Sequence, residues 1–473
     1  MKHPAIAGAL QGFRYVLASQ LLVLAVSIVK AFLIPLLLNV ANYGYWQIYV
    51  FYTAYVGVFG LGFIDGIYLR YGGFDANALP IATVRSSLWV YTVGLLMLST
   101  TMAWYVSLEA DEIRRIVMYL VVANVLVMGL LGAFALTLQA TNQFKQFSIL
   151  NASDKLFFIL LLPLLLLLRI DSVLWLAGAD LVSKLVVLAV MFFRYRQLFI
   201  GVSTNLGAAL REARENVKAG GQLMIANISG MLVLGMGRVI IEYFDKIETY
   251  AYYAFGISMT NLALVAISAF SVVIYPTLKR LPEANQLHFY NYSNRRLFIF
   301  NILMLGAYFP VAHLIGWMLP KYLPVIPYLN VLFAITVLQG KMQLLNNTYY
   351  KLLRRESAML VANISSLLIV TLLSTAAYAL SRKVEAIAYA ALLTMVYRVY
   401  SSERYLRRQM GDSGSCIGIA TLELAALTLF LTSTSLLGID LALLSYVALL
   451  SGSLMYARDE LTSSIRLISR KVR

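Results

Sequence analysis

The chain has 473 residues, of which 61% are hydrophobic, and its formal net charge is +16. So much apolar sequence excludes a soluble globular domain and predicts a polytopic membrane protein. The single cysteine, Cys416, excludes a disulfide framework and a thiolate metal site, and the three histidines lack metal-ligand spacing. In a soluble protein this charge would indicate nucleic-acid binding, but here we attribute it to membrane topology and expect no nucleic-acid partner.

Two predicted membrane helices and the turn between them organise the start of the chain. The first helix covers residues 15–40, the second covers residues 46–67, and residues 42–46 form the turn. About 20 apolar residues suffice to cross a bilayer, so both stretches are long enough. We interpret the first as an uncleaved span, because residues 1–12 lack the pattern of a signal peptide.

Fourteen apolar stretches are predicted to span the membrane along the whole chain. No loop between them approaches the size of a domain. The longest loop, residues 194–218, is basic and is predicted to carry a surface helix from Leu206 to Val217. The predicted spans are residues 15–40, 46–67, 86–107, 116–139, 147–168, 172–193, 219–241, 249–275, 297–319, 325–349, 357–380, 384–402, 416–437 and 439–457.

Lysines and arginines are distributed unevenly between alternate loops. With the amino terminus inside, most of the 38 Lys and Arg residues fall in cytoplasmic segments and few fall in outer loops. Cytoplasmic loops of membrane proteins carry such an excess, so both termini are predicted to be cytoplasmic. The basic inner face also suits an anionic inner leaflet.

Weak internal similarity relates the two halves of the chain. Gln20-Leu21-Leu22 corresponds to Gln222-Leu223-Met224, and residues 138–151 resemble residues 344–363. These correspondences lie roughly 200 residues apart, which is typical of the internal repeats of secondary transporters. Because six helices per repeat is an even number, the repeats are predicted to be parallel. The predicted domains are a six-helix lobe in residues 1–200, a second six-helix lobe in residues 201–410, and two extra spans with a basic cytoplasmic tail in residues 411–473.

A local motif marks the first hairpin. It consists of Pro35, Tyr43-Gly44-Tyr45-Trp46, Leu61-Gly62-Phe63, Gly66 and Arg70-Tyr71. With this motif the chain resembles the polysaccharide (O-antigen type) flippases of the multidrug/oligosaccharidyl-lipid/polysaccharide exporter superfamily. The layout of six, six and two helices extends the resemblance over the whole chain as architecture alone.

The resemblance implies an all-α membrane protein of about 14 transmembrane helices, with two six-helix lobes and two extra helices around a central V-shaped cavity. It implies alternating access and a substrate that is an undecaprenyl-pyrophosphate-linked oligosaccharide, moved to the outer leaflet for surface polysaccharide synthesis. The implied location is the inner membrane of a bacterium. The implied partners are membrane lipids and, beside the substrate, a polysaccharide polymerase and a chain-length regulator. No catalytic, cofactor or metal residue is implied.

Three cations inside predicted spans are candidate substrate-binding residues. Lys30, Arg238 and Lys341 lie in spans one, seven and ten and have no acidic neighbour within one helical turn. An unpaired charge at mid-span costs at least ~2.5 kcal/mol, so such residues are rare and usually functional. Cations in a low-dielectric cleft would hold a diphosphate strongly. The alternative is that these side chains extend to the membrane interface.

Other charges inside spans have structural and functional interpretations that stay open. Asp180 and Lys184 are four residues apart on one helix and can neutralise each other. Asp154 and Lys155 are adjacent, so on a helix they point about 100° apart, and one of them can pair elsewhere. Asp65 and Arg70 can form a gating ion pair with other helices or simply be solvated at a helix end. Glu423 can line a groove for the lipid tail or contact a neighbouring helix.

Tyrosines on the second span are candidate sugar-binding residues. Tyr45, Tyr49 and Tyr52 follow helical spacing and share one face, which could stack on sugar rings. Interfacial anchoring explains the outermost of them equally well. Gly62 and Gly66 form a small-xxx-small pair, which favours close helix packing over chemistry.

The sequence favours a flippase for a lipid-linked oligosaccharide and does not favour an enzyme. A phosphate-binding loop is missing, since Gly340-Lys341 is followed by Met342, so direct ATP hydrolysis is not expected. A cation-coupled multidrug exporter of the same superfamily is the nearest alternative, but it should present carboxylates rather than cations. A membrane-embedded glycosyltransferase or polymerase would need larger outer loops, and a scaffold protein would not need charges inside its spans.

The predicted topology can be tested with reporter fusions. Fusions after Gly73, Thr204, Glu283 and Met410 should report the cytoplasm, because those loops hold most of the Lys and Arg excess. Fusions after Ala110 and Leu319 should report the outer side. An inverted pattern in either half would contradict the parallel repeat.

Overall fold

The computed structural model describes residues 4–167, 172–278, 286–412 and 417–456, and no strand occurs among them. The all-α class predicted from the sequence is therefore confirmed. The helices are α1 Pro4–Leu37, α2 Val40–Tyr55, α3 Phe63–Tyr71, α4 Ile81–Val106, α5 Glu112–Ala140, α6 Phe144–Leu167, α7 Val173–Arg194, α8 Leu206–Phe244, α9 Ile247–Leu278, α10 Gln286–Gly306, α11 Tyr308–Met318, α12 Ile326–Lys341, α13 Asn347–Leu352, α14 Glu356–Ser381, α15 Val384–Gln409, α16 Ile417–Leu436 and α17 Ile439–Tyr456.

Each predicted span overlaps at least one of these helices. By length and composition, 10 helical segments of the described chain can cross a membrane, or 11 if the bent pair formed by residues 40–60 and 63–71 is one span. The number of fourteen spans remains a prediction. Residues 168, 416 and 457, at the ends of three predicted spans, lie outside the described residues, as does Cys416.

The first hairpin differs from its prediction in two ways. Residues 42–46 are not a turn, because α2 already begins at Val40, after the side chain of Asn39 accepts a hydrogen bond from the backbone N–H of Asn42. The predicted single helix over residues 46–67 is broken at Leu61 and Gly62, whose φ angles are 50° and 77°. The axis bends there by 61°. Two consecutive left-handed residues cannot continue a right-handed helix, so α3 starts in a new direction.

The predicted surface helix from Leu206 to Val217 is not a separate element. It is the first part of α8, a continuous helix of 39 residues that begins after the Asn205 cap. No proline interrupts this stretch, and Gly220 and Gly221 remain helical. The basic segment and the apolar span therefore form one continuous helix.

Glycine lets α3 and α8 approach each other closely. A β-carbon built on Gly66 would lie 1.9 Å from the carbonyl oxygen of Asn216, and one built on Gly220 would lie 2.1 Å from that of Gly62. No side chain fits at such distances, so the two backbones are in direct contact. The small-xxx-small pair formed by Gly62 and Gly66 is confirmed as a helix-packing motif.

The chain forms two compact units that divide between Ala254 and Phe255. The first unit holds α1 to α8 and the start of α9, and within it α8 packs on α3 and α4. In the second unit α12 is the most enclosed helix and packs against α10, α15 and α16. A π-helical turn, Met342–Asn346, follows α12 directly after Lys341. The predicted lobe boundary between residues 200 and 201 stays a prediction.

Substituting Gly66 by alanine should destabilise the first unit. The added methyl group must push α3 away from α8, and overpacking of this kind costs about 1–3 kcal/mol or more. Gly178→Ala is a matched control, because a β-carbon added at this position on α7 would have no other atom within 4 Å. Thermal unfolding of the detergent-purified protein should show a clear loss for Gly66→Ala and none for Gly178→Ala. Equal melting temperatures would contradict the direct backbone contact.

Candidate functional site

Charged and polar side chains inside the first unit converge on Asp180 of α7. Lys184, one turn later, places its Nζ 2.5 Å from Asp180 Oδ2, and Tyr49 donates its hydroxyl to the same oxygen at 2.8 Å. Asn124 donates to the Tyr49 hydroxyl at 2.9 Å and accepts from Lys184 Nζ at 3.0 Å. Lys30 Nζ lies 3.8 Å from Asp180 Oδ1. We call these five residues the N-cluster.

The N-cluster has more positive than negative charge. Asp180 is its one carboxylate, and Lys30 and Lys184 supply two ammonium groups. The pairing of Asp180 with Lys184 predicted from their spacing is confirmed. Lys30 is the looser partner, with 26% of its side chain exposed. Its Nζ lies 4.1 Å from the centre of the Phe158 ring, which adds a cation–π contact.

Arg238 on α8 is the least compensated of the candidate cations. Its guanidinium lies 5.2 Å from the centre of the Phe51 ring. Its Nε is buried without a hydrogen-bond partner, and no ion pair involves this residue in the described part of the chain. Glu242, four residues later on the same helix, binds Arg114 at 2.8 Å instead. Arg238 is therefore a half-buried cation that forms no ion pair with a carboxylate among the described residues.

Lys341 has a different environment, which the sequence did not indicate. Its Nζ lies 2.9 Å from Glu403 of α15 and 2.7 Å from Glu423 of α16, and all three side chains are at most 4% exposed. Lys341 has no acidic neighbour on its own helix, as the sequence indicated, but it has two on other helices. The carboxylates come from segments 62 and 82 residues away in the chain. Lys341 is thus already paired, which weakens its assignment to substrate binding.

Other polar groups complete the cluster around Lys341. Tyr400 donates to Glu423 at 2.9 Å, Asn301 donates to Glu423 at 3.0 Å, and Asn294 donates to Glu403 at 2.9 Å. We call Lys341, Glu403, Glu423, Tyr400, Asn294 and Asn301 the C-cluster. Arg407, one turn after Glu403, lies 3.8 Å from it, so the two carboxylates of the cluster face two cations. Glu423 therefore contacts neighbouring helices, in agreement with the helix-contact interpretation.

The three candidate sugar-binding tyrosines extend from one helix to three different carboxylates. The hydroxyl of Tyr45 binds Asp111, that of Tyr49 binds Asp180, and that of Tyr52 binds Glu242 at 3.1 Å. Tyr49 is only 1% exposed. Its ring is part of the protein interior, so of the three only Tyr45 and Tyr52 retain partly exposed surface.

Arg70, one of the two residues suggested for a gating ion pair, connects two helices that are distant in the chain. Arg70 binds Glu212 of α8 at 2.6 Å and the Asn216 side chain at 2.6 Å, so it pairs with another helix rather than with Asp65. Tyr71 donates to the same Glu212 at 2.7 Å. This ion pair fastens α3 to α8 next to their glycine contact.

Asp154 and Lys155 contact each other directly. Although their Cα–Cβ bonds diverge, Lys155 Nζ lies 3.0 Å from Asp154 Oδ1 and 3.0 Å from the carbonyl oxygen of Asn151. The four methylene groups of lysine are long and flexible enough to fold back along the helix. The two residues therefore form an ion pair with each other, and a role for them in gating stays a prediction.

The fold occurs in solved multidrug transporters. This chain is similar to the inward-facing conformation of a multidrug resistance MATE family transporter of the MOP superfamily, with a TM-score of 0.64 at 13% identity over 83% of this chain and 94% of that one. An outward-facing conformation of such a transporter gives a TM-score of 0.59 at 12% identity over 85% and 95%. An aspartate-to-asparagine variant of a Vibrio cholerae MATE transporter gives 0.56 at 14% identity over 86% and 97%.

This chain therefore has the all-helical fold of MATE transporters. The sequence matches no protein-family model, and no curated protein matches it.

Replacing Lys341 by methionine should unfold the second unit rather than only impair a binding site. It leaves Glu423 buried without its cation and removes the closer cation of Glu403, and breaking a buried ion pair costs about 3–5 kcal/mol. The measurement is thermal stability and membrane level, with exposed Lys383→Met as the control. Adding Glu403→Gln and Glu423→Gln to Lys341→Met should restore most of the loss. A Lys341→Met protein of normal stability that fails to transport would return Lys341 to the substrate site.

Proposed function

We propose that this chain is a membrane transporter that moves its substrate by alternating access. Its MATE fold and its apolar helices support this proposal. Its charged residues have roles in binding and in holding helices together, and none is proposed as a catalytic group. The proposed location is the inner membrane of a bacterium with both termini in the cytoplasm.

We further propose that the substrate is an undecaprenyl-pyrophosphate-linked oligosaccharide. The observation that carries this proposal is the guanidinium of Arg238, which forms no ion pair with any described carboxylate. Lys30 supports it, because its partly exposed ammonium group shares Asp180 with Lys184. An anionic diphosphate would supply the negative charge with which these cations can pair. A polysaccharide polymerase and a chain-length regulator are the proteins expected to act with such a transporter.

The magnitude of the charge term favours an anion over a neutral ligand at Arg238. At an effective dielectric of ~20, two unit charges 4 Å apart attract each other by about 4 kcal/mol before desolvation is subtracted. A neutral hydrogen bond contributes only about 0.5–1.5 kcal/mol. A substrate with a diphosphate therefore gains far more from this residue than an uncharged sugar or drug.

A multidrug exporter is the second candidate, and two observations favour it. The similar solved structures are described as multidrug resistance MATE transporters, so the comparisons support this candidate better than the flippase. The C-cluster also contains two carboxylates, Glu403 and Glu423, and carboxylates are the groups that a cation-coupled exporter is expected to present. Against it stands the N-cluster, where the only carboxylate, Asp180, already has two ammonium partners and the Tyr49 hydroxyl.

Transport in proteoliposomes distinguishes the two candidates. Wild type should flip a fluorescent undecaprenyl-pyrophosphate-linked oligosaccharide and should not export an organic cation such as ethidium. Arg238→Gln should lower the flipping rate by about tenfold or more, because it removes the Coulomb attraction, whereas Arg238→Lys should keep most of it. Arg214→Gln, an exposed arginine on the same helix, is the matched control and should behave as wild type.

Each alternative has its own outcome in this assay. Export of the organic cation without flipping of the lipid would establish the multidrug exporter instead. Flipping at equal rates by the Gln and Lys variants of Arg238 would show that this residue is structural, and the diphosphate site should then be sought at Lys30.

A further inference from the structure

A small cleft lies within the first unit where four helix ends meet. It has a volume of about 110 Å³ and is lined by residues from the start of α2, the start of α5, the end of α8 and the start of α9. Its polar lining includes Tyr45, Asp111, Arg114, Glu242, Asp245 and Tyr250.

The lining combines both signs of charge with tyrosine hydroxyls. Asp111 accepts a hydrogen bond from Tyr45 and one from the backbone N–H of Arg114. Glu242 accepts from Arg114 at 2.8 Å and from Tyr52 at 3.1 Å. Burial raises the pKa of Asp111, but these hydrogen bonds lower it by more than burial raises it. The net pKa is therefore below the ordinary value, and the carboxylate stays a hydrogen-bond acceptor. Carboxylates keep further lone pairs for a ligand after such bonds are made.

Tyr250 is the group that indicates a ligand. It lines the cleft and is 0% exposed, yet its hydroxyl has no hydrogen-bond partner among the described residues. A buried polar group without a partner costs free energy, so proteins rarely retain one without a reason. A hydroxyl supplied by a bound molecule would satisfy it as donor or acceptor.

We propose that this cleft binds one sugar ring of the transported oligosaccharide; this inference rests on the proposed flippase function. A polyhydroxylated neutral ring has donors for Asp111 and Glu242 and acceptors for Arg114, and it can use both at once. A ligand with a fixed charge would instead be repelled by the lining residues of the same sign. The volume is below the roughly 300–1,000 Å³ of sites for drug-sized molecules, so the cleft suits a single ring and not a whole oligosaccharide.

Removing the Tyr250 hydroxyl tests the proposal, because a structural role and a binding role predict opposite results. Tyr250→Phe deletes an oxygen that bonds to nothing in the described structure, so thermal stability should be unchanged or higher. Binding should weaken by about three- to tenfold, the range of one neutral hydrogen bond. Ser374→Ala is the matched control, since it removes a buried hydroxyl without a partner on α14, far along the chain from the cleft. It should leave both stability and binding unchanged.

The probe for binding is the free oligosaccharide released by mild acid from the lipid-linked substrate, titrated calorimetrically into the purified wild type, Tyr250→Phe and Ser374→Ala. Flipping of the intact lipid-linked substrate is measured in parallel on the same preparations. Weaker binding and slower flipping by Tyr250→Phe alone would support the sugar site.

The two proposals fail separately in this experiment. Wild type that binds the free oligosaccharide through Tyr250 but does not flip the lipid would overturn the flippase function and leave the sugar site standing. Wild type that flips the lipid while Tyr250→Phe binds and flips equally well would overturn the sugar site alone. Absence of any binding of the free oligosaccharide to wild type would also overturn it, as would a loss of stability that accounts for the whole Tyr250→Phe effect.

Discussion

The low dielectric of the interior is the constraint on which this structure depends, because a charge buried there must find a partner. Asp180 illustrates the consequence in the first unit. Its two oxygens receive Lys184 from its own helix, Tyr49 from α2 and Lys30 from α1. One carboxylate thereby determines how three helices pack, since each would leave a buried polar group unsatisfied if it moved away. Glu423 does the same in the second unit, where it ties α16 to α12, α10 and α15.

The same constraint explains what the sequence could predict. Helices follow from the length of apolar runs, which is a local property, so every predicted span meets a helix. Backbone breaks are also local, but the left-handed pair at Leu61 and Gly62 has no signal beyond one glycine. Partners of buried charges are not local. Lys30 pairs with a residue 150 positions away, and Arg70 finds its carboxylate in a stretch that the sequence assigned to a loop helix.

Glu403 shows how an error in a predicted helix boundary hides a buried ion pair, here the one with Lys341. The predicted span ends at residue 402, which placed Glu403 in the cytoplasm, whereas α15 continues to Gln409 and buries it. The charge balance of α15 made its end look solvated, since Arg404, Arg407 and Arg408 follow at once. The helix is amphipathic there: Arg404 and Arg408 are exposed on one face, while the other face carries Glu403, which pairs with Lys341 and, at 3.8 Å, with Arg407. The side of the helix on which a residue lies, and not the composition of the surrounding sequence, decides whether it is solvated or buried.

The two clusters differ in charge balance and in access, and this difference bears on their roles. The carboxylates of the C-cluster are matched by Lys341 and, at 3.8 Å, by Arg407. The side chains of Lys341, Glu403 and Glu423 are at most 4% exposed, so this cluster is closed to a large ligand. In the N-cluster the excess charge belongs to Lys30, the member with the largest exposed fraction and the longest contact to Asp180. A cation held at 3.8 Å by a shared carboxylate can exchange that contact for a ligand at smaller cost than one held at 2.5 Å. Arg238 forms no ion pair within the described part of the chain that a ligand would have to replace. Of the two clusters, the N-cluster therefore offers the more accessible positive charge, while the charges of the C-cluster hold the helices of the second unit together.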